Sequence, residues 1–131
     1  MNVIVDTSIW SEVFRRKKPN TKLTSSLTEL IEEHRVILLG PIRQELLSGI
    51  SDNRKFSLLR DKLAFFPDKE IKTDNYVLAA EYSNLCRKKG IQGSHIDFLI
   101  CACSTSMKAS IFTTDKDFEN YQNAIPIILH K

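Results

Sequence analysis

Acidic residues recur in this sequence where polypeptide chains end apolar runs or begin helices. In Val3-Ile4-Val5-Asp6-Thr7-Ser8 an apolar run passes straight into a carboxylate and two hydroxyls. Glu45 follows a second apolar run, Val36-Ile37-Leu38-Leu39, by about a turn and a half of helix. Asp97 stands in Ser94-His95-Ile96-Asp97, ahead of the nearly all-apolar Phe98-Leu99-Ile100-Cys101-Ala102-Cys103. Asp115 follows Ile111-Phe112-Thr113-Thr114. Each acid has an ordinary explanation. Asp6 and Asp115 suit helix N-caps, a role worth about 1 kcal/mol. Glu45 suits a helix dipole, and Ser94 with Asp97 fits a capping box. What those explanations leave out is the recurrence, and the cost of a carboxylate on a buried helix that is neither paired nor metal-bound.

If these acids share one crevice, their charges must be neutralised. Two unit charges about 4 Å apart at an effective dielectric near 20 repel by about 4 kcal/mol. A hard divalent cation with room for water, Mg²⁺ or Mn²⁺, suits an all-carboxylate set. Such an ion polarises a phosphoryl oxygen and activates water, and two ions clamp both oxygens of a displacement. The chemistry implied is phosphodiester hydrolysis. Ser8 and Thr114 are auxiliary candidates for holding water or phosphate, with plain capping as their ordinary role.

The elements that must position these groups follow from periodicity. Val3–Val5, Val36–Leu39 and Ser110–Thr113 read as buried parallel strands. Glu70–Lys72 is a weaker third strand in chain order, and Ile127–Leu129 a fifth, after Pro126. Helices are expected over 9–16, from about Leu23 to His34, after Pro41, around Phe56–Leu63 up to Pro67, from Thr73 or Asp74 to Lys89, from Ser94 to Met107, and over Asp115–Tyr121. Strands alternating with helices imply a three-layer α/β/α sandwich on a five-stranded parallel sheet. The natural order is 3-2-1-4-5. That order puts strand 1 between strands 2 and 4 and gathers the four acids at one rim, outside the carboxyl ends of the strands, where open α/β sheets bind ligands.

Composition narrows the class. At 131 residues the chain is of single-domain size, spanning 1–131. No apolar run approaches the roughly 20 residues that cross a bilayer, and no signal peptide is evident, so a cytoplasmic address is expected. Cys86, Cys101 and Cys103 form no CxxC and read as reduced core thiols. Cys101 and Cys103 point about 200° apart on a helix and cannot share a zinc ion, and His34, His95 and His130 have no partners at metal-ligand spacing. There is no GxGxxG or GxxxxGK[ST] phosphate loop. A net charge of +3 permits a nucleic-acid partner without demanding one. Arg15-Arg16-Lys17-Lys18 and Arg87-Lys88-Lys89 both end helices, where cations also complement the dipole.

With these residues in place, the chain resembles the PIN-domain family and, within it, the VapC-type toxins of toxin–antitoxin pairs. The stretches VIVDTSIW, GPIRQELLSG, HIDFLICACS and IFTTDKDF carry the likeness, in the family's order and over essentially the whole chain. The resemblance implies a metal-dependent ribonuclease in which Asp6, Glu45, Asp97 and Asp115 are the catalytic acids. Asp6, Asp97 and Asp115 would be ligands of Mg²⁺ or Mn²⁺, and Asp117 would be an auxiliary acid. It implies products with 5′-phosphate and 3′-hydroxyl ends, a homodimer, and a small antitoxin lying across the active-site groove. The basic clusters then become RNA or antitoxin contacts. Two alternatives stand beside it. A phosphate-accepting receiver module would need paired acids after strand 1 and an Asp directly after strand 3. A non-catalytic RNA- or protein-binding domain would keep the acidic pocket without turnover.

Overall fold

The computed structural model describes residues 1–131. Strand β1 (Val3–Val5) is fully buried and lies between β2 (Val36–Leu39) and β4 (Ser110–Phe112), both parallel to it. Val3 pairs with Val36 on one side and with Ser110 on the other. A short β3 (Asp68–Lys69) adds to β2, giving the order β3-β2-β1-β4. The predicted order is therefore observed, with one correction: the sheet has four strands rather than five.

The expected fifth strand shrinks to a single parallel bridge, Ile111 with Leu129. The Ile111 N–H donates to the Ile128 carbonyl at 2.9 Å and the His130 N–H to the Ile111 carbonyl at 2.8 Å. Pro126 has no N–H to donate, and the Ile127 N–H turns back to the Ile125 carbonyl, so pairing cannot extend towards the start of this segment. The third strand lies two residues earlier than expected and is fully exposed. Arg43 holds that region. Its guanidinium reaches the Asp68 carboxylate at 2.8 Å, the Leu63 carbonyl at 2.9 Å and the Phe66 carbonyl.

The helices flank the sheet in two groups. α1 (Thr7–Phe14), α2 (Thr21–Glu32), α3 (Gly40–Leu47) and α4 (Asn53–Leu63) pack among themselves. α5 (Thr73–Lys88) pairs with α6 (His95–Ser106), and α6 packs on β1 and β4. A short α7 (Asp117–Tyr121) follows β4. α4 stops at Leu63, short of Pro67. Starts are set by local chemistry: Asn20, Asp52 and Ser94 accept the N–H of Leu23, Lys55 and Asp97. Neither Thr73 nor Asp74 caps α5. Asn75 Oδ1 accepts the Lys72 N–H at 2.9 Å, and its amide donates to Ser106 Oγ at 2.7 Å, tying α5 to the end of α6.

Trp10 anchors α1 over the sheet. It has no exposed surface, its Nε1 donates to the Val5 carbonyl at 3.0 Å, and its ring meets Phe14 and Phe66. Burying a large aromatic that also satisfies a strand-end carbonyl fixes where α1 begins relative to β1. That junction carries Asp6. The three cysteines are buried and unbonded, as expected. No helix is long and apolar enough to cross a membrane.

Candidate active site at the ends of β1 and β4

Asp6 continues the ladder one residue past β1, since its N–H donates to the Phe112 carbonyl at 2.9 Å. It occupies the N-cap position of α1 with extended backbone, yet its side chain makes no capping hydrogen bond. The carboxylate is used elsewhere: Oδ2 accepts from Thr113 Oγ1 at 2.7 Å and from Ser8 Oγ at 3.0 Å. Asp6 is 7% exposed, so both bonds sit in a largely dry environment where they count for more. The N-cap explanation of this acid therefore fails.

The two hydroxyls join the first turn of α1 to the loop after β4. Thr113 Oγ1 accepts the Asp115 N–H at 3.0 Å, and Ser8 Oγ accepts the Thr114 N–H at 3.1 Å. Thr114 thus contributes its backbone to the network while its residue is exposed. Thr113, which sequence reasoning passed over, carries the side-chain role. Strand alternation is the signal that could have found it, because Thr113 directly follows the strand residue paired with Val5.

Asp115 is half-buried, and its Oδ1 accepts the Asp117 N–H at 2.9 Å, shaping the turn into α7. Asp97 is half-buried in the first turn of α6. The capping box it was expected to complete is only half made. Ser94 Oγ accepts the Asp97 N–H at 3.1 Å, while the Asp97 carboxylate turns the other way, and its Oδ2 accepts from the Tyr121 hydroxyl at 2.6 Å. Burial pushes the Asp97 carboxyl above its ordinary range; the Tyr121 hydrogen bond works against that shift, and the nearby Asp115 and Asp6 charges add to it. Tyr121 itself is pushed well up by burial and by Asp97, so its phenol keeps the proton it donates.

Carboxylate oxygens of Asp97, Asp115 and Asp117 all lie within 4.8 Å of one another. Asp117, expected only as an auxiliary acid, stands inside this group. Asp6 stands beside it, close enough to act on the charge state of Asp97. Glu45 is not drawn in: it is exposed on α3 and belongs to neither the carboxylate group nor the hydroxyl network. His95 is exposed and makes no side-chain hydrogen bond.

The donor set fits a hard divalent cation. It offers only oxygen, the acids repel one another while uncompensated, and each of Asp6, Asp97 and Asp115 has one oxygen held by the protein and another without a protein partner. Carboxylates oriented in this way present single oxygens, which suits an octahedral ion that keeps part of its water.

These features define a small α/β domain with a carboxylate pocket at the carboxyl ends of a parallel sheet. The PIN-domain family model matches residues 3–124, and the chain belongs to that family. No curated protein sequence matches it. Solved structures share the fold at low identity. FitAcB from Neisseria gonorrhoeae is 19% identical at a TM-score of 0.81, covering 98% of this chain and 96% of that one. VapBC2 from Rickettsia felis, bound to a DNA fragment from its promoter, is 16% identical at a TM-score of 0.82, covering 99% and 98%. VapBC-1 from nontypeable Haemophilus influenzae is 14% identical at 0.77, covering 100% and 98%.

Proposed function

We propose that this protein is a metal-dependent endoribonuclease and the toxin of a type II toxin–antitoxin pair. The observation that carries the reading is the gathering of Asp97, Asp115 and Asp117 within 4.8 Å, beside Asp6, by segments far apart in sequence. Asp6, Asp97 and Asp115 would hold Mg²⁺ or Mn²⁺, and Asp117 is placed to join them. When bound, that cation polarises the scissile phosphate and supplies the Lewis acidity for hydrolysis. The chain's own residues do the rest. Thr113 and Ser8 keep Asp6 turned away from its capping role. Asp115 and Asp97 offer acceptors to an attacking water. The water oxygen bonds to phosphorus, the bond to the 3′-oxygen breaks, and that oxygen takes up a proton. The products carry a 5′-phosphate and a 3′-hydroxyl. Glu45, exposed on α3, would act only once substrate or cation draws it towards the rim.

The surroundings suit an RNA backbone. A cavity of about 660 Å³ lined by Ser8, Thr114, Arg15 and Arg16 opens next to the acids. Arg15 and Arg16 also line a neighbouring cavity of about 510 Å³ with Lys17, Lys55 and Lys62. Glu12 also lines the first cavity and pairs with Arg16 at 2.6 Å, so Arg15, Lys17, Lys55 and Lys62 are the cations that a polyanion leaving the acid site along α1 would meet; phosphate contacts position such a chain without reading its sequence. Structural relatives from Klebsiella pneumoniae and Mycobacterium tuberculosis are toxin–antitoxin proteins by name, which supports an antitoxin partner here; a homodimer is part of the same proposal. A receiver-type module is disfavoured, because β1 ends in one acid and β3 runs into Glu70 rather than an Asp.

Incubation of the purified protein with total RNA, followed by sequencing of both new ends, tests the reading. Expected are discrete cuts with 5′-phosphate and 3′-hydroxyl ends that need Mg²⁺ or Mn²⁺ and stop in EDTA. Cleavage that persists in EDTA, or no cleavage with either ion, overturns it and leaves a non-catalytic binding domain.

A further inference from the structure

We infer that Tyr121 is the positioning residue for Asp97, and that Gly93 is what lets it act. The inference rests on the proposed metal-dependent reading of the site. Tyr121 is the last residue of α7, the helix that opens with Asp117, and its hydroxyl donates to Asp97 Oδ2 at 2.6 Å, a short charge-assisted bond. The phenol ring has no exposed surface and is fixed by Phe98 and Phe118, each with its ring centre 5.2 Å away. A hydroxyl on so immobile a ring leaves Asp97 little rotational freedom. With Oδ2 occupied, Oδ1 is the oxygen of Asp97 without a protein partner, in a group whose other members are Asp115 and Asp117.

Gly93 closes over the phenol. A β-carbon at that position would lie 2.5 Å from the Tyr121 hydroxyl oxygen, 2.8 Å from the Phe98 ring and 2.9 Å from the Tyr121 ring. Two of these neighbours are locked aromatic rings, so they cannot step aside. The backbone before α6 therefore approaches the Tyr121–Asp97 pair as closely as it does because residue 93 lacks a side chain. One glycine and one tyrosine, 28 residues apart, set the orientation of an acid lying between them in the chain.

Partners that orient metal ligands typically change metal affinity or activity by about 10–100-fold when removed. The test is Mn²⁺ affinity measured by electron paramagnetic resonance on the full chain, with RNA cleavage kinetics alongside. Tyr121→Phe keeps the ring and deletes the donor. It should raise the Mn²⁺ dissociation constant about tenfold or more and lower kcat while leaving KM for RNA unchanged. Gly93→Ala should move Mn²⁺ affinity in the same direction with Tyr121 intact. Tyr82→Phe, which deletes another tyrosine hydroxyl, the one meeting Thr105 Oγ1 at 2.8 Å between α5 and α6, should leave Mn²⁺ affinity near that of the wild type. Wild-type Mn²⁺ affinity in Tyr121→Phe, or an equal loss in Tyr82→Phe, overturns the positioning role while leaving the nuclease reading in place. A wild-type protein that binds no Mn²⁺ overturns both.

Discussion

The two neighbours of β1 are built differently at their carboxyl ends. On the β4 side, hydrogen bonds run from Ser8 and Thr113 to Asp6, from Asp115 to Thr113 and from Asp117 to Asp115, and Tyr121 separately holds Asp97 beside that set. On the β2 side, the chain passes directly from Leu39 into α3, and the acid it offers, Glu45, is exposed and bonded to nothing nearby. The contrast separates two tasks. The β4 flank is organised before any ligand arrives, which is how an ion-binding constellation avoids reorganisation when it binds. On the proposed nuclease reading, the exposed Glu45 of the β2 flank would follow the substrate.

Substitution at the two flanks gives the largest expected difference. Asp97→Asn should lower RNA cleavage by at least about a hundredfold, since on the proposed reading it removes a ligand of the cation. Glu45→Gln should cost about tenfold or less, equivalent to about 1.4 kcal/mol. Initial rates at saturating Mg²⁺ compare them, and an equal loss would abolish the distinction between a preformed and a recruited flank.

Cation binding should stabilise the fold through the β4 flank alone. At a hundredfold excess over its dissociation constant, a ligand specific to the native state adds about 2.7 kcal/mol. Thermal or urea unfolding with and without Mn²⁺ reads this directly. The gain should vanish in Asp115→Asn and persist in Glu45→Gln.

Between adjacent threonines the difference should be smaller but clean. Thr113→Val removes a hydroxyl that donates to a buried carboxylate and accepts a backbone N–H, and such charged hydrogen bonds are worth about 1.5–3 kcal/mol. Thr114→Val should be nearly neutral, because only the backbone of that residue enters the network. Urea unfolding of both variants measures the gap.

The smallest effect concerns pH. Burial raises Asp97 above its ordinary value of 3.8, so the folded protein still holds this proton over a range in which the unfolded chain has released it. Stability contributed by the group is therefore lost as pH rises through that range. Without cation, Asp97→Asn should unfold at or slightly above the wild-type midpoint at pH 7, and the two should converge as pH falls towards 4. A wild-type protein that gains over the variant on raising the pH contradicts this sign.

Much of this was legible in the chain, and the exceptions have physical causes. Val3–Val5 and Val36–Leu39 declare themselves because strands buried on both faces are apolar throughout. Asp68–Lys69 does not, because two exposed charged residues carry no strand signal. Arg43, 25 residues from Asp68, holds that segment through tertiary contacts. The Ile127–Leu129 run had the right composition, but Pro126 left it a single bridge. Among the acids, position at a strand end was informative for Asp6 and Asp115, and position at the head of a nearly all-apolar helix for Asp97. Asp117 entered only as an auxiliary acid implied by the family resemblance, and the turn at Asp115 brings it into the group. Tyr121 was invisible as a partner, since a tyrosine on a short helix reads as core and its bond to Asp97 spans 24 residues.

The central claim is that the β4 flank holds a divalent ion. Crystals of the protein soaked in Mn²⁺ and measured near the manganese absorption edge test it without recourse to activity. The account predicts an anomalous peak bounded by Asp97, Asp115 and Asp117 with Asp6 at its edge, lost in Asp97→Asn. A peak located elsewhere, or none at saturating Mn²⁺, would contradict it.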